Sequence, residues 1–117
     1  MTQATLYHNP RCSKSRGALE LLSERGITPT ILRYLETPPD AAALRELLGK
    51  LGIGARELLR KGEDEYRELN LADASLSEEA LIEAMVSHPK LIERPILIVG
   101  DRAVIGRPPE RVLELLS

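Results

Sequence analysis

A chain of 117 residues with 16 basic and 18 acidic side chains has a formal net charge of −2, which excludes a domain that holds nucleic acid by bulk charge. The length suits one domain with its own core, expected here over residues 1–117, since domains of about 100–150 residues are the commonest. Of its residues 43% are apolar, yet none is Phe or Trp, so Leu, Ile, Val and Ala must do the packing.

Ala4-Thr-Leu-Tyr7 reads as a short strand, broken by His8-Asn9-Pro10-Arg11. A helix is expected from about Ser13 to Arg25, burying Ala18, Leu19, Leu21 and Leu22, with Gly26 as its stop. Thr28 to Leu35, rich in β-branched residues, reads as a second strand. Thr37-Pro-Pro-Asp40 is a turn ending on a helix N-cap, and Leu44, Leu47, Leu48 and Leu51 then mark one helical face. A shorter helix is expected around Ala55 to Arg60. Residues 61–76 are polar and read as irregular. Ser77, or Ser75 with Glu78 as a capping box, opens a helix running through Val86. His88-Pro89 closes it, which makes His88 a helix-terminal residue.

Ile96 to Val99, a Gly100-Asp101 turn and Ala103 to Ile105 make a β-hairpin. Pro108-Pro109 then opens a last helix with Val112, Leu113 and Leu116 on its inner face. The order β-α-β, a helical stretch, then β-β-α is that of an α/β, thioredoxin-like domain with a helical insertion at about residues 40–88. No repeat, low-complexity tract or linker marks a second domain.

The N-terminus has no basic segment followed by a long apolar one, and the longest wholly apolar run, Ile96 to Val99, is too short to span a membrane. With a single cysteine no internal disulfide can form, which fits a reducing, cytoplasmic setting. One Cys and two distant His make no metal-ligand set. No exposed stripe calls for a subunit partner, so a monomer is expected.

That cysteine, Cys12, stands where a strand ends and a helix begins. The first N–H groups of a helix have no intrahelical partners and favour negative charge. Arg11, Lys14 and Arg16 lie beside it, and no Asp or Glu occurs before Glu20. Such settings lower a thiol pKa from about 8.5 to roughly 3.5–7.5. A lone cysteine is often an inert small hydrophobe, but that goes with apolar neighbours, which Cys12 lacks. Ser15 occupies the place of a dithiol's second cysteine, so an oxidised Cys12 must be resolved by another molecule's thiol. Cysteine-dependent phosphatases set their arginine further along the loop than Arg16 stands here, so this loop cannot wrap a phosphate in that way.

Tyr7-His8-Asn9-Pro10-Arg11-Cys12-Ser13-Lys14-Ser15-Arg16 resembles the active-site loop of the glutaredoxin-coupled, ArsC-type arsenate reductases. The likeness continues through Tyr34-Leu35-Glu36-Thr37-Pro38-Pro39, Arg56 to Lys61, Leu91 to Ile96 and Gly106-Arg107-Pro108, covering essentially the whole chain in family order. The resemblance implies a thioredoxin-like fold with a helical insertion, Cys12 as nucleophile, and Arg60, Arg94 and Arg107 as oxyanion ligands. It also implies His8 as a loop residue assisting the cysteine and Pro95 as the proline kept cis beside the site. Arg60 and Arg94 read locally as a helix-end cation and a loop residue, and only the resemblance marks them out.

The implied activity is reduction of arsenate to arsenite. It uses glutathione as reducing cosubstrate and glutaredoxin as partner, with no bound cofactor, no nucleic acid and no membrane. Ser13-Lys14-Ser15 departs from the Gly-Thr-Ser of well-known members, adding charge and removing a flexible glycine. Two other readings use the same scaffold: a glutathione-linked thiol oxidoreductase with another substrate, and an Spx-type regulator of RNA polymerase without enzymatic activity. Ser15 removes the Cys-x-x-Cys switch of such regulators.

Overall fold

Strand β1 (Ala4–Tyr7) leads through a tight loop into helix α1 (Ser13–Glu24), and the chain returns as strand β2 (Thr30–Leu32), parallel to β1. This is seen in a computed structural model, which describes residues 4–115. The expected residue Leu116 lies outside the described residues. Further along come α2 (Ala41–Leu51), α3 (Ala55–Leu58), α4 (Asp64–Glu68) and α5 (Glu78–Ser87). A 3₁₀ turn at Pro89–Leu91 precedes β3 (Ile96–Val99) and β4 (Arg102–Ile105), and a 3₁₀ helix spans Pro109–Leu115. The chain divides into two compact units, one from the N-terminal segment up to Thr37 together with Arg94 onward, the other Pro38–Glu93.

In the first unit the four strands form one mixed sheet in the order β2-β1-β3-β4. β3 runs antiparallel to β1, with Leu6 opposite Leu97, and β4 pairs with β3, with Leu97 opposite Val104. This is the thioredoxin-like α/β class expected from the element order. Leu6, Leu97 and Val104 point to one face and pack on Ala18 and Leu22 of α1 and on Val112 of the last helix. Burying a leucine such as Leu22 stabilises by about 1.5–3 kcal/mol. Leu19 and Leu21, expected inside, lie half-buried at the margin of this core.

Gly26, at φ +75, closes α1, and the amides of Arg25, Gly26 and Ile27 return to the carbonyls of Leu22 and Ser23. Glycine adopts that left-handed backbone without a side-chain clash. Gly106 is needed for a different reason. A Cβ there would stand 2.9 Å from Pro95 Cγ and 3.0 Å from Val112 Cγ1, while the Gly106 amide donates to the Pro95 carbonyl at 2.8 Å. The Arg94–Pro95 bond is cis, as the resemblance implies for that proline, and so is Arg107–Pro108.

In the second unit Leu44, Leu47 and Leu48 of α2 are buried, as are Leu81, Ile82 and Met85 of α5, which packs on α2 and α3. Asp40 caps α2 by accepting from the Ala43 amide at 2.8 Å. Of the two caps open for α5, Ser77 is used, its Oγ accepting from the Ala80 amide. Ser75 bonds Asp73 instead, and the Glu78 carboxylate accepts from the Ala55 amide, capping α3.

Three expectations are corrected here. Residues 61–76 include the short helix α4, which buries no side chain and so carries no apolar stripe to announce it. Strand β2 is shorter than Thr28 to Leu35 because only Thr30–Leu32 pair with β1. The last helix is 3₁₀ rather than α, a difference in hydrogen bonding that side-chain spacing over two turns does not reveal.

Candidate functional site

Beyond Tyr7 the ladder of β1 stops, and the loop His8–Arg11 turns the chain into α1. The His8 amide still donates to Leu32 of β2 at 2.9 Å, so the loop starts from a fixed point. Asn9 then organises the turn. Its carbonyl accepts from the Cys12 amide at 3.0 Å, and its side-chain oxygen accepts from the Arg11 amide at 3.0 Å. Arg16 reaches back to donate to the Pro10 carbonyl at 3.2 Å.

Cys12 is the N-cap residue of α1, with extended backbone and no side chain of the protein capping the helix. The first turn of α1 holds no acidic residue. The thiol is half-buried. Burial alone would raise its pKa. The Ser15 amide, the Arg94 guanidinium and the Lys14 amide outweigh burial and hold the thiol below its ordinary 9.0. A helix start with free N–H groups thus works together with a guanidinium brought from the other end of the chain.

To the local cations expected from the sequence the structure adds a guanidinium from a distant segment. Arg11, Lys14 and Arg16 all have exposed side chains, and Lys14 acts on the sulfur through its backbone N–H. Arg94 acts on the sulfur by hydrogen bond and by charge. Arg107, half-buried in the same unit, donates from Nε to the Arg94 carbonyl at 3.2 Å. Cys12, Arg94 and Arg107 are therefore linked within one unit.

Arg60 belongs to the Pro38–Glu93 unit. Its backbone is fixed by an amide bond to the Leu91 carbonyl at 2.8 Å and by the bridge between Leu59 and Ile92. Its Nε lies 3.7 Å from a Glu93 oxygen, and its Nη1 is buried with no hydrogen-bond partner among the described residues.

His8 is buried, and its Nδ1 lies 2.8 Å from Ser15 Oγ. Burial, then the charges of Arg33 and Arg16, push its pKa below 6.5. Sequence reasoning missed Ser15, whose side chain is fully buried and whose Oγ also accepts from the Asn9 amide at 3.0 Å. A serine one turn into a helix normally reads as surface, and nothing in its spacing says otherwise. Tyr34 is fully buried and stacks on Tyr7, the residue before the loop, with ring centroids 6.0 Å apart.

The ArsC family matches residues 7–115 of this chain. The uncharacterized protein YfgD of Escherichia coli strain K12 is 64% identical over 98% of both chains. An arsenate reductase of Haemophilus influenzae is 48% identical over 95% of this chain and 97% of its own. Among solved structures, an arsenate reductase from Vibrio cholerae superposes with a TM-score of 0.94 at 50% identity, covering 97% of each chain. The match begins at the last residue of β1, ahead of the cysteine loop, and runs past Arg107, so it spans the thiol and its guanidinium partner: the chain belongs to the ArsC family.

Proposed function

We propose that this protein reduces arsenate to arsenite in the cytoplasm, as a monomer, using Cys12 as nucleophile, glutathione as the resolving thiol and glutaredoxin as the final reductant. The observation that carries this reading is the Cys12 thiol, lowered in pKa at an uncapped helix start beside Arg94. The names of the relatives supply the substrate class.

Arsenate near neutrality is a dianion and repels an attacking thiolate. Guanidinium groups offset that charge, offer paired donors and stay protonated at any relevant pH. In our reading Arg94 and Arg107 hold the oxyanion at the thiol, and Arg60 is taken as an oxyanion ligand on the strength of the family resemblance alone. The Cys12 thiolate attacks arsenic and one arsenate oxygen leaves as water after protonation. Glutathione sulfur then bonds to Cys12 sulfur, and the electron pair of the breaking S–As bond stays on arsenic, releasing arsenite. A glutaredoxin thiol takes the glutathionyl group and frees the Cys12 thiolate. One cysteine suffices because the second thiol comes from solution.

The test is arsenate-dependent NADPH oxidation with glutathione, glutaredoxin and glutathione reductase. Turnover that disappears in Cys12→Ser and weakens in Arg60→Ala is the expected result. No turnover with several glutaredoxins, from a Cys12 that still alkylates rapidly near pH 6, would exclude arsenate and favour a glutathione-linked thiol oxidoreductase with another substrate.

A further inference from the structure

Arg11, Lys14, Arg16 and Arg33 border the cysteine loop, and all have exposed side chains. Two of them are engaged. Arg16 donates from Nη1 to the Pro10 carbonyl at 3.2 Å, and Arg33 lies 3.8 Å from a Glu36 oxygen. Arg11 and Lys14 differ: among the described residues neither side chain makes a hydrogen bond or an ion pair. No Asp or Glu precedes Glu20 in the sequence, and the first turn of α1 has none. Both cations stand on fixed backbone. The Arg11 amide donates to Asn9 Oδ1 at 3.0 Å, and Lys14 is the second residue of α1. Protein surfaces usually intersperse charges of both signs. Here like charges are gathered on either side of a sulfur.

We propose that Arg11 and Lys14 are the glutathione site of this protein, taking the peptide's two carboxylates while its sulfur exchanges at Cys12. Near neutrality glutathione carries two carboxylates and one ammonium. Its net negative charge opposes approach to a thiolate, and neighbouring cations offset that repulsion. A tripeptide spans at most about 10 Å. Once its sulfur is bonded to Cys12, its carboxylates must lie among the side chains that flank this cysteine. Arg11 is the preceding residue in the chain and Lys14 the second one after it. The Arg11 guanidinium offers a planar pair of donors to one carboxylate, and the Lys14 ammonium a mobile point charge to the other. Each contact is exposed and weak by itself. Applied to one ligand that is also tied to the sulfur, the two act together.

This rests on the reading of glutathione as the resolving thiol and names where that peptide is held. Its test is disulfide exchange without arsenate. The Cys12 thiolate attacks one sulfur of glutathione disulfide and a Cys12–glutathione disulfide forms. The original S–S bond breaks, and one glutathione leaves with the electron pair as thiolate. Because the chain has one cysteine, the mass gained by the intact protein reports that reaction alone. Hydroxyethyl disulfide, which is uncharged, meets the same thiolate, so the ratio of the two rates cancels any change in thiol ionisation. Arg11→Gln and Lys14→Gln should each lower the ratio about threefold, and the double variant about tenfold. Arg25→Gln removes an exposed cation at the far end of the 12-residue α1 and should leave the ratio unchanged. In the wild type, raising salt from about 0.02 M to about 0.5 M should bring the ratio down toward that of the double variant. A ratio unmoved by the double variant, or lowered as far by Arg25→Gln, overturns the site while glutathione remains the resolving thiol. A Cys12 that takes up hydroxyethyl disulfide but not glutathione disulfide overturns both the site and the use of glutathione.

Discussion

Arg107 donates from Nε to the backbone carbonyl of Arg94 at 3.2 Å, so the second of these arginines braces the main chain that presents the first. Arg94 acts on Cys12 by both hydrogen bond and charge. The two residues should therefore fail differently. Arg94→Ala should raise the alkylation inflection of Cys12 and slow its modification at neutral pH by roughly tenfold, a charge-assisted hydrogen bond being worth about 1.5–3 kcal/mol. Arg107→Ala should move that inflection much less. Alkylation rates across a pH series distinguish the two.

Arg60 should behave as a donor in need of an anion. Among the described residues its Nη1 is buried without a hydrogen-bond partner, an arrangement that costs stability. Arg60→Ala should then cost little stability by itself. Saturating arsenate, at a hundred times its dissociation constant, should stabilise the wild type by about 2.7 kcal/mol. Most of that gain should vanish in the variant. Thermal melts with and without arsenate measure both effects.

Two titrating groups give stability the same slope with pH. The folded protein holds Cys12 below 9.0 and His8 below 6.5, so between each folded value and its ordinary one the unfolded chain binds more protons. Stability then rises with pH across both windows. The Cys12 contribution is complete above 9.0 and is lost as pH falls through the folded thiol value. The His8 contribution is complete above 6.5 and declines as pH drops toward its folded value. Urea midpoints measured from mildly acid to alkaline pH should climb in both windows. Cys12→Ser should remove the upper rise and His8→Asn the lower.

Gly106→Ala should destabilise by about 1–3 kcal/mol, the usual cost of forcing atoms into a filled space. Its new methyl would meet Pro95 at 2.9 Å and Val112 at 3.0 Å, ring and branched carbons with little freedom to retreat. Thermal melting should fall by several degrees. Gly49→Ala serves as the control, since a Cβ there meets nothing within 4 Å.

How far the sequence could be read depended on where each signal lived. Helix α2 was legible because Leu44, Leu47 and Leu48 repeat at helical spacing and do face inward. The hairpin of β3 and β4 was legible from its apolar runs flanking Gly100-Asp101. Helix α4 was not, because a helix without a buried side has no pattern to show. Strand β2 was overextended because β-branched residues mark extended backbone, whereas only a partner defines a ladder, and β2 is an edge strand that pairs with β1 alone. At the site, Cys12 could be placed from the strand-to-helix junction on which it sits. The contribution of Arg94 could not, since it comes from a distant segment, and local charge pointed instead to Arg11 and Arg16. Ser15 was hidden for a related reason: its burial is made by the loop folding over it, which composition does not record.

The central pairing of the sheet, Leu6 against Leu97, joins a strand near the start of the chain to one near its end. Contacts of such long sequence separation form late, after the local helices. During synthesis, α1 and its amides can form early, but Arg94 and the strand that follows it emerge only when most of the chain has been made. The share of Cys12 activation that Arg94 contributes is therefore gained only when the sheet closes, which makes full activation a signature of completed folding.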